Sequence, residues 1–297
     1  AGVKPINCAL ANRSAPRLDS AMSDFKSITR VPTPFDLSLG QEALDLMPAL
    51  EGQQSDLIRG AAGCSPYIKS LIGKEAQWLE GALDGPDRAI ELLFTQLKET
   101  DAKTMPSALR GSKRRVALIT GLADLGGVWP LEKVTGVLTA FADLAVSCAL
   151  RATIGAEIAR GKLPGMSEDN VHDAGGMCVL AMGKMGAFEL NYSSDIDLIC
   201  LFDETRFETD DFHDGRASFV RATRRMAAML NDPTGDGYVF RTDLRLRPDP
   251  GVTPVCMAME AAERYYESLG RTWERAAYIK ARPCAGDFVA GAKFLKT

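Results

Sequence analysis

The sequence predicts an α+β protein, helical over residues 1–165 and sheet-containing over residues 166–297. Three observations carry this reading. From Ser14 to about Gly165, apolar residues recur at helical spacing between turn signals, with no strand-like stretch among them. The run Gly161-Lys162-Leu163-Pro164-Gly165 then ends that pattern, and the apolar period changes to that of strands. Beyond it, three strand-like segments carry acidic and basic residues at alternating positions.

The helical region is punctuated by Pro32 and Pro34, Gly52, Gly60 to Gly63, Gly85-Pro86, Pro106 and Gly126-Gly127. Its clearest helix begins near Pro130, a residue suited to a first helical turn, and runs to about Arg160. Val134, Val137, Leu138, Phe141, Leu144, Ala145 and Cys148 form its apolar side. After the boundary, Met177 to Met182 reads as a short buried strand, and Ser194 to Phe202 and Tyr238 to Arg247 as alternating ones. Ser218 to Leu230 reads as an arginine-rich helix, and Arg216, Arg221, Arg224 and Arg225 read as a solvated helix face without a catalytic role. The stretch from Met257 to Lys280 is helical in pattern, interrupted at Gly270, with Tyr265, Tyr266, Trp273 and Tyr278 as its apolar bulk.

The 297 residues are 46% hydrophobic and 25% charged with net charge −4, an ordinary globular composition that argues against disorder. Uninterrupted apolar runs fall far short of the ~20 residues of a membrane span, and no leader opens the chain. A cytoplasmic protein is expected, with neither membrane nor nucleic acid as a partner. The seven cysteines, Cys8, Cys64, Cys148, Cys178, Cys200, Cys256 and Cys284, form no CxxC pair and suggest reduced thiols. With only His172 and His213 present, chemistry that needs several histidines is excluded, and carboxylates must act instead.

In Ser193-Ser194-Asp195-Ile196-Asp197-Leu198-Ile199, strand alternation places Asp195 and Asp197 on one face and turns Ile196 and Leu198 to the core. Two carboxylates about 7 Å apart repel by roughly 2 kcal/mol at an effective dielectric of ~20, so a cation should compensate them. The third strand sets Arg241, Asp243, Arg245 and Arg247 on one face, with Phe240, Thr242, Leu244 and Leu246 on the other. Asp195, Asp197 and Asp243 together make an all-oxygen site suited to Mg²⁺ or Mn²⁺, able to support phosphoryl chemistry. Arg245 and Arg247 suit phosphate oxygens, or else merely neutralise the acidic cluster. A bare DxD is also compatible with a solvated strand edge, and Lys184 with a surface turn.

Upstream, Gly183-Lys184 closes the preceding strand, and Met185 to Ser194 separate it from Asp195. A glycine turn, a spacer and DxD resemble the polymerase-β-like nucleotidyltransferase superfamily, which implies phosphate or nucleotide contacts at Gly183, Lys184 and Ser194. More specifically, GKMGAFELNYSSDIDLICLFDE (Gly183 to Glu204), GYVFRTDLRLRPDPG (Gly237 to Gly251) and YYESLGRTWERAAYIKARPCAGD (Tyr265 to Asp287) resemble the glutamine synthetase adenylyltransferase and adenylyl-removing enzymes. RGAAGCSPYIKSLI (Arg59 to Ile72) and KRRVALITGLADLGGVWPLEKVT (Lys113 to Thr135) extend the resemblance upstream.

That family is built from two related halves, and ELNYSSDIDL and GRTWERAAYIKARP resemble the N-terminal, adenylyl-removing one. The resemblance implies a mixed catalytic sheet with a closing helix. It also implies phosphorolysis of an adenylylated tyrosine on glutamine synthetase, using inorganic phosphate, releasing an adenine nucleotide (ADP), and answering to a PII signal protein. Adenylyl transfer from ATP and a catalytically silent PII-binding module remain the alternatives. The family usually carries consecutive glycines where Ala187-Phe188 stand here, and only one SDxDL is present, as in a fragment.

Overall fold

The structure, a computed structural model, describes residues 25–296. Cys8 and the predicted helical pattern from Ser14 to position 24 lie outside them. Six helices come first: α1 (Leu37–Leu44), α2 (Gly52–Cys64), α3 (Pro66–Leu83), α4 (Pro86–Glu99), α5 (Met105–Leu125) and α6 (Leu131–Ala159). There follow β1 (Met177–Ala181), α7 (Gly183–Gly186), β2 (Ile196–Phe202), α8 (Phe212–Asn231), β3 (Thr242–Asp243), β4 (Cys256–Ala258), α9 (Met259–Ser268), α10 (Thr272–Ala277), β5 (Arg282–Gly286) and α11 (Phe288–Phe294). The chain is thus α+β, and among the described residues no strand precedes Met177.

The described residues group into two compact units, 25–100 with 108–141, and 101–107 with 142–296. The division falls inside α6, so the turn from Gly161 to Gly165 is internal to the second unit.

In the unit of residues 25–100 and 108–141, local chemistry fixes the helix starts. Ser65 accepts the Ile68 N–H at 3.2 Å ahead of Pro66 in the first turn of α3, and Asp36 caps α1 through the Leu39 N–H at 3.0 Å. Gly60 is required by close approach: a Cβ there would stand 2.0 Å from the Pro32 carbonyl oxygen. The buried Glu75 carboxylate is held by Arg114 and Arg115 at 3.0 and 2.8 Å.

The other unit holds the sheet, ordered β3-β2-β1-β5, with β4 also on β2. β1 runs antiparallel to β2 and β5, whereas β3 and β4 run parallel to β2. β3 pairs at Ile196 and Asp197 and β4 at Cys200 to Phe202, so both use the same edge of β2, one after the other. On one face Cys178, Leu180, Met182, Ile199 and Leu201 pack with Met257, Met259, Ala262 and Phe294. On the other, Phe202 stacks on Phe219 of α8 at 4.8 Å between ring centroids. β1 is therefore buried on both sides, as expected of its uninterrupted apolar run.

Several expectations need correction. The alternation read from Ser194 to Phe202 holds only at its start, because from Leu198 onward both faces are covered and every residue is buried. The strand expected from Tyr238 to Arg247 shrinks to Thr242–Asp243: at Leu244 the chain leaves β2, and it returns as β4. The helical stretch expected from Met257 begins with β4, breaks at Gly270 as anticipated, and is followed by β5 and α11, which local periodicity did not reveal. Two of the arginines assigned to a solvated face do more than meet water. Arg221 and Arg225, with Arg160, bind the Glu157 carboxylate, which is 0% exposed.

By length and composition α6 holds an 18-residue window apolar enough to be a candidate membrane span. Counting only uninterrupted apolar runs missed it, and 61% of that window is buried inside the protein. The six described cysteines form no disulfide with one another, and five of them are buried.

Candidate active site

The parallel register of β2 and β3 sets Asp197 beside Asp243, across a strand spacing of about 4.8 Å. Asp195 lies one alternation step before Asp197, and the Ile196 N–H donates to the Arg241 carbonyl at 2.9 Å where the pairing with β3 begins. From the other side β1 delivers its turn. The Met182 N–H donates to the Asp197 carbonyl at 2.9 Å, and Gly183, at φ +54°, lies so close that a Cβ there would stand 3.0 Å from Asp197 Oδ2. A side chain at 183 would thus meet both backbone strain and the carboxylate. Asp195, Asp197, Asp243 and Gly183 are brought together; Lys184 is exposed on α7.

The basic residues divide. The Arg245 guanidinium folds back on Asp243, with Nε at 2.9 Å and NH2 at 2.5 Å from Oδ2, while its backbone N–H donates to Oδ1 at 2.7 Å. Arg247 does not share that face: its guanidinium donates to the carbonyls of Leu244 (2.7 Å), Pro250 (2.8 Å) and Thr253 (3.2 Å), bracing the loop between β3 and β4. Without a continuing strand there is no alternation to bring it round. Arg241, given no role from sequence, binds Asp195 and donates to the Ser193 carbonyl at 2.9 Å. Its position two residues before Asp243 was the available signal. Ser194 turns its hydroxyl to Asn191 within the approach to β2.

Three carboxylates face two guanidiniums, leaving an excess of negative charge. Burial and then the charges of Asp243 and Asp195 raise the pKa of Asp197, which Arg245 only partly offsets. Asp243 is pulled below the ordinary carboxylate range, chiefly by its hydrogen bond from Arg245. The donor set fits a hard divalent cation: all oxygen, crowded, with no arginine on Asp197. Among the described residues, however, no three acidic, histidine or cysteine side chains already converge as a ligand cluster. Arg241 and Arg245 hold Asp195 and Asp243, and a metal ion would have to take their place.

The turn after β1 departs from free glycine geometry. Phe188 has φ +59°, a left-handed conformation rare for a bulky residue, and its ring lies 3.8 Å beneath the Arg282 guanidinium. Arg282 also binds Asp143, a pairing across 139 positions that no local pattern announces. Glu204, at the end of the first quoted motif, accepts the Met259 and Glu260 N–H groups at 3.0 and 2.8 Å and so caps α9.

A short mixed sheet, a glycine turn at the end of one strand, paired aspartates on the next and a third aspartate on a parallel neighbour define a nucleotidyltransferase-type domain. The family described as glutamate-ammonia ligase adenylyltransferase matches residues 55–297. The chain belongs to that family. It is 43% identical over 281 residues to a Bradyrhizobium protein named bifunctional glutamine synthetase adenylyltransferase/adenylyl-removing enzyme, covering 90% of this chain and 28% of that one. Proteins of the same name from Caulobacter vibrioides (43% identity, 78% of this chain, 24% of that one) and Agrobacterium fabrum (39%, 88% and 27%) are similar in the same way. The chain spans about a quarter of the length of these relatives.

Proposed function

We propose that this chain is an adenylyl-removing domain, which takes AMP off an adenylylated tyrosine of glutamine synthetase by phosphorolysis. The observation that carries this reading is the register that sets Asp197 beside Asp243 next to the Gly183 turn. Within the family, the ELNYSSDIDL and GRTWERAAYIKARP motifs favour removal over attachment. An oxygen of inorganic phosphate attacks the AMP phosphorus, the bond to the tyrosine oxygen breaks, the phenolate takes up a proton, and ADP leaves.

Phosphate is already an anionic nucleophile near neutral pH, which suits a site with no histidine among its residues. Asp195, Asp197 and Asp243 would hold Mg²⁺ or Mn²⁺, which when bound supplies charge stabilisation and alignment of the phosphates. Gly183 keeps the wall beside Asp197 low enough for a phosphate to approach. Arg245, 83% exposed, is free to swing from Asp243 to the incoming phosphate once that carboxylate is otherwise compensated.

The test is incubation of the chain with adenylylated glutamine synthetase, phosphate and Mg²⁺. Phosphate-dependent ADP release supports the reading, and AMP release without phosphate would make the site a hydrolase. Attachment of AMP from ATP to unmodified synthetase would assign the forward reaction. Binding of a PII signal protein with no turnover would leave a regulatory module.

A further inference from the structure

Arg282 stands beside the last residue of β1, paired across the strands with Ala181, and so next to the point where the chain enters the Gly183–Phe188 turn. One guanidinium makes three contacts there. It donates to the Met185 carbonyl at 2.9 Å, binds the Asp143 carboxylate at 2.9 and 2.8 Å, and covers the Phe188 ring at 3.8 Å. With its side chain only 16% exposed, it is not a surface charge.

The turn needs such a hold. Phe188 sits at φ +59° and Gly183 at φ +54°, so two residues within one short turn are left-handed, one of them bulky. A non-glycine residue in that region costs on the order of 1 kcal/mol or more and persists only when its surroundings over-determine it. Around Phe188 those surroundings are the C-terminal cap of α7, where the Phe188 N–H donates to the Met185 carbonyl at 3.3 Å and the Glu189 N–H to the Lys184 carbonyl at 2.9 Å, and Arg282, which binds the Met185 carbonyl and covers the ring. Gly186 completes the clamp, because a Cβ there would stand 2.1 Å from the Lys280 carbonyl oxygen, two residues before Arg282.

We infer that Arg282 is a positioning residue for the phosphate-binding turn: by holding the Met185 carbonyl and the Phe188 ring it fixes Gly183 against Asp197. This rests on the function proposed above for the site. It also gives a task to the WERAAYIKARP motif, whose second arginine, Arg282, lies outside the carboxylate cluster. Asp143 holds Arg282 in turn; burial pushes its carboxyl up to about 6 even against the guanidinium. A neutral residue at 282 would therefore disturb Asp143 as well, so the informative variant is Arg282→Lys, which keeps the cation and loses the planar fork and stacking.

The experiment uses the 297-residue chain and has two arms. By hydrogen exchange, Arg282→Lys should speed the Ala187, Phe188 and Glu189 amides about tenfold and leave the Ile199 to Phe202 amides unchanged. Phe188→Leu, which keeps the left-handed backbone and removes the aromatic face, should shift the same amides. In phosphorolysis, Arg282→Lys should raise the half-saturating phosphate concentration about tenfold with kcat within about twofold. Unchanged turn amides overturn the inference whatever the activity. Faster turn amides with an unaltered phosphate requirement overturn the positioning role. A wild-type chain without phosphorolysis overturns the proposed function, and the hold on the turn is then decided by exchange alone.

Discussion

Replacing Asp197 by asparagine keeps the shape of the side chain and removes its charge, at the carboxylate with two like-charged neighbours and no arginine of its own. With Asp243 opposite it in register, at about 5 Å and an effective dielectric of ~20, the repulsion is about 3 kcal/mol. Solvent at the open face and the nearby guanidiniums reduce this, leaving a net gain of about 1 kcal/mol for the amide without metal. For a chain of this size that is a rise of about 2–4 °C in Tm. The pH dependence follows from the raised pKa of Asp197. Its ionisation costs nothing below the carboxylate's unfolded value and costs stability as pH rises through the raised folded value, so the variant's advantage should close as pH falls toward about 4. Divalent metal should reverse the order. At a hundredfold excess over Kd it stabilises the wild type by about 2.7 kcal/mol and should leave the variant nearly unmoved. Calorimetry in EDTA and in Mg²⁺ at two pH values reads all of this. A variant less stable than wild type in EDTA, or one stabilised equally by Mg²⁺, would refute the account of these carboxylates as a cation site.

Asp243→Asn should lower activity by at least about 100-fold while the cooperative thermal transition survives, since the amide can still accept the Arg245 N–H; loss of that transition would make Asp243 structural. Glu157→Gln removes the one charge that gathers Arg160, Arg221 and Arg225. It should cost about 2–3 kcal/mol in urea unfolding, below the usual toll of breaking a buried pair because the arginines are 41–48% exposed and can re-solvate; no change would return these arginines to a solvated face. Among the described cysteines only Cys64 is exposed, whereas burial pushes thiols such as Cys200 up to about 12. Cys64→Ser should therefore abolish rapid native labelling by a thiol reagent apart from any at Cys8, and fast labelling at another position would contradict the burial.

What the sequence discloses follows the range of the interactions. α6, β1 and the start of β2 rest on local periodicity, a proline or a continuous apolar run, and they fall where those signals put them. The carboxylate face was legible for the same reason: alternation over Asp195-Ile196-Asp197 is a local rule. The division of one expected strand into β3 and β4 was not, because it depends on how residues far apart share one edge of β2. β5 escaped notice because Arg-Pro-Cys-Ala-Gly has little strand character; it is accepted as an edge strand, where proline is tolerated, with an irregularity opposite Val179 and Leu180. The Arg245 and Arg247 side chains read as a matched pair only if the strand continued, and the chain turning away at Leu244 gave them opposite tasks.

Sharing an edge between β3 and β4 makes the two sides of the site mechanically unequal. Asp197 stands on a strand stitched along both edges, while Asp243 hangs from a stitch of two residue pairs that ends where the loop begins. On the function proposed, the site would have one side braced along both edges and one braced less, and changes in the loop from Leu244 to Val255 would act by shifting Asp243 relative to Asp197.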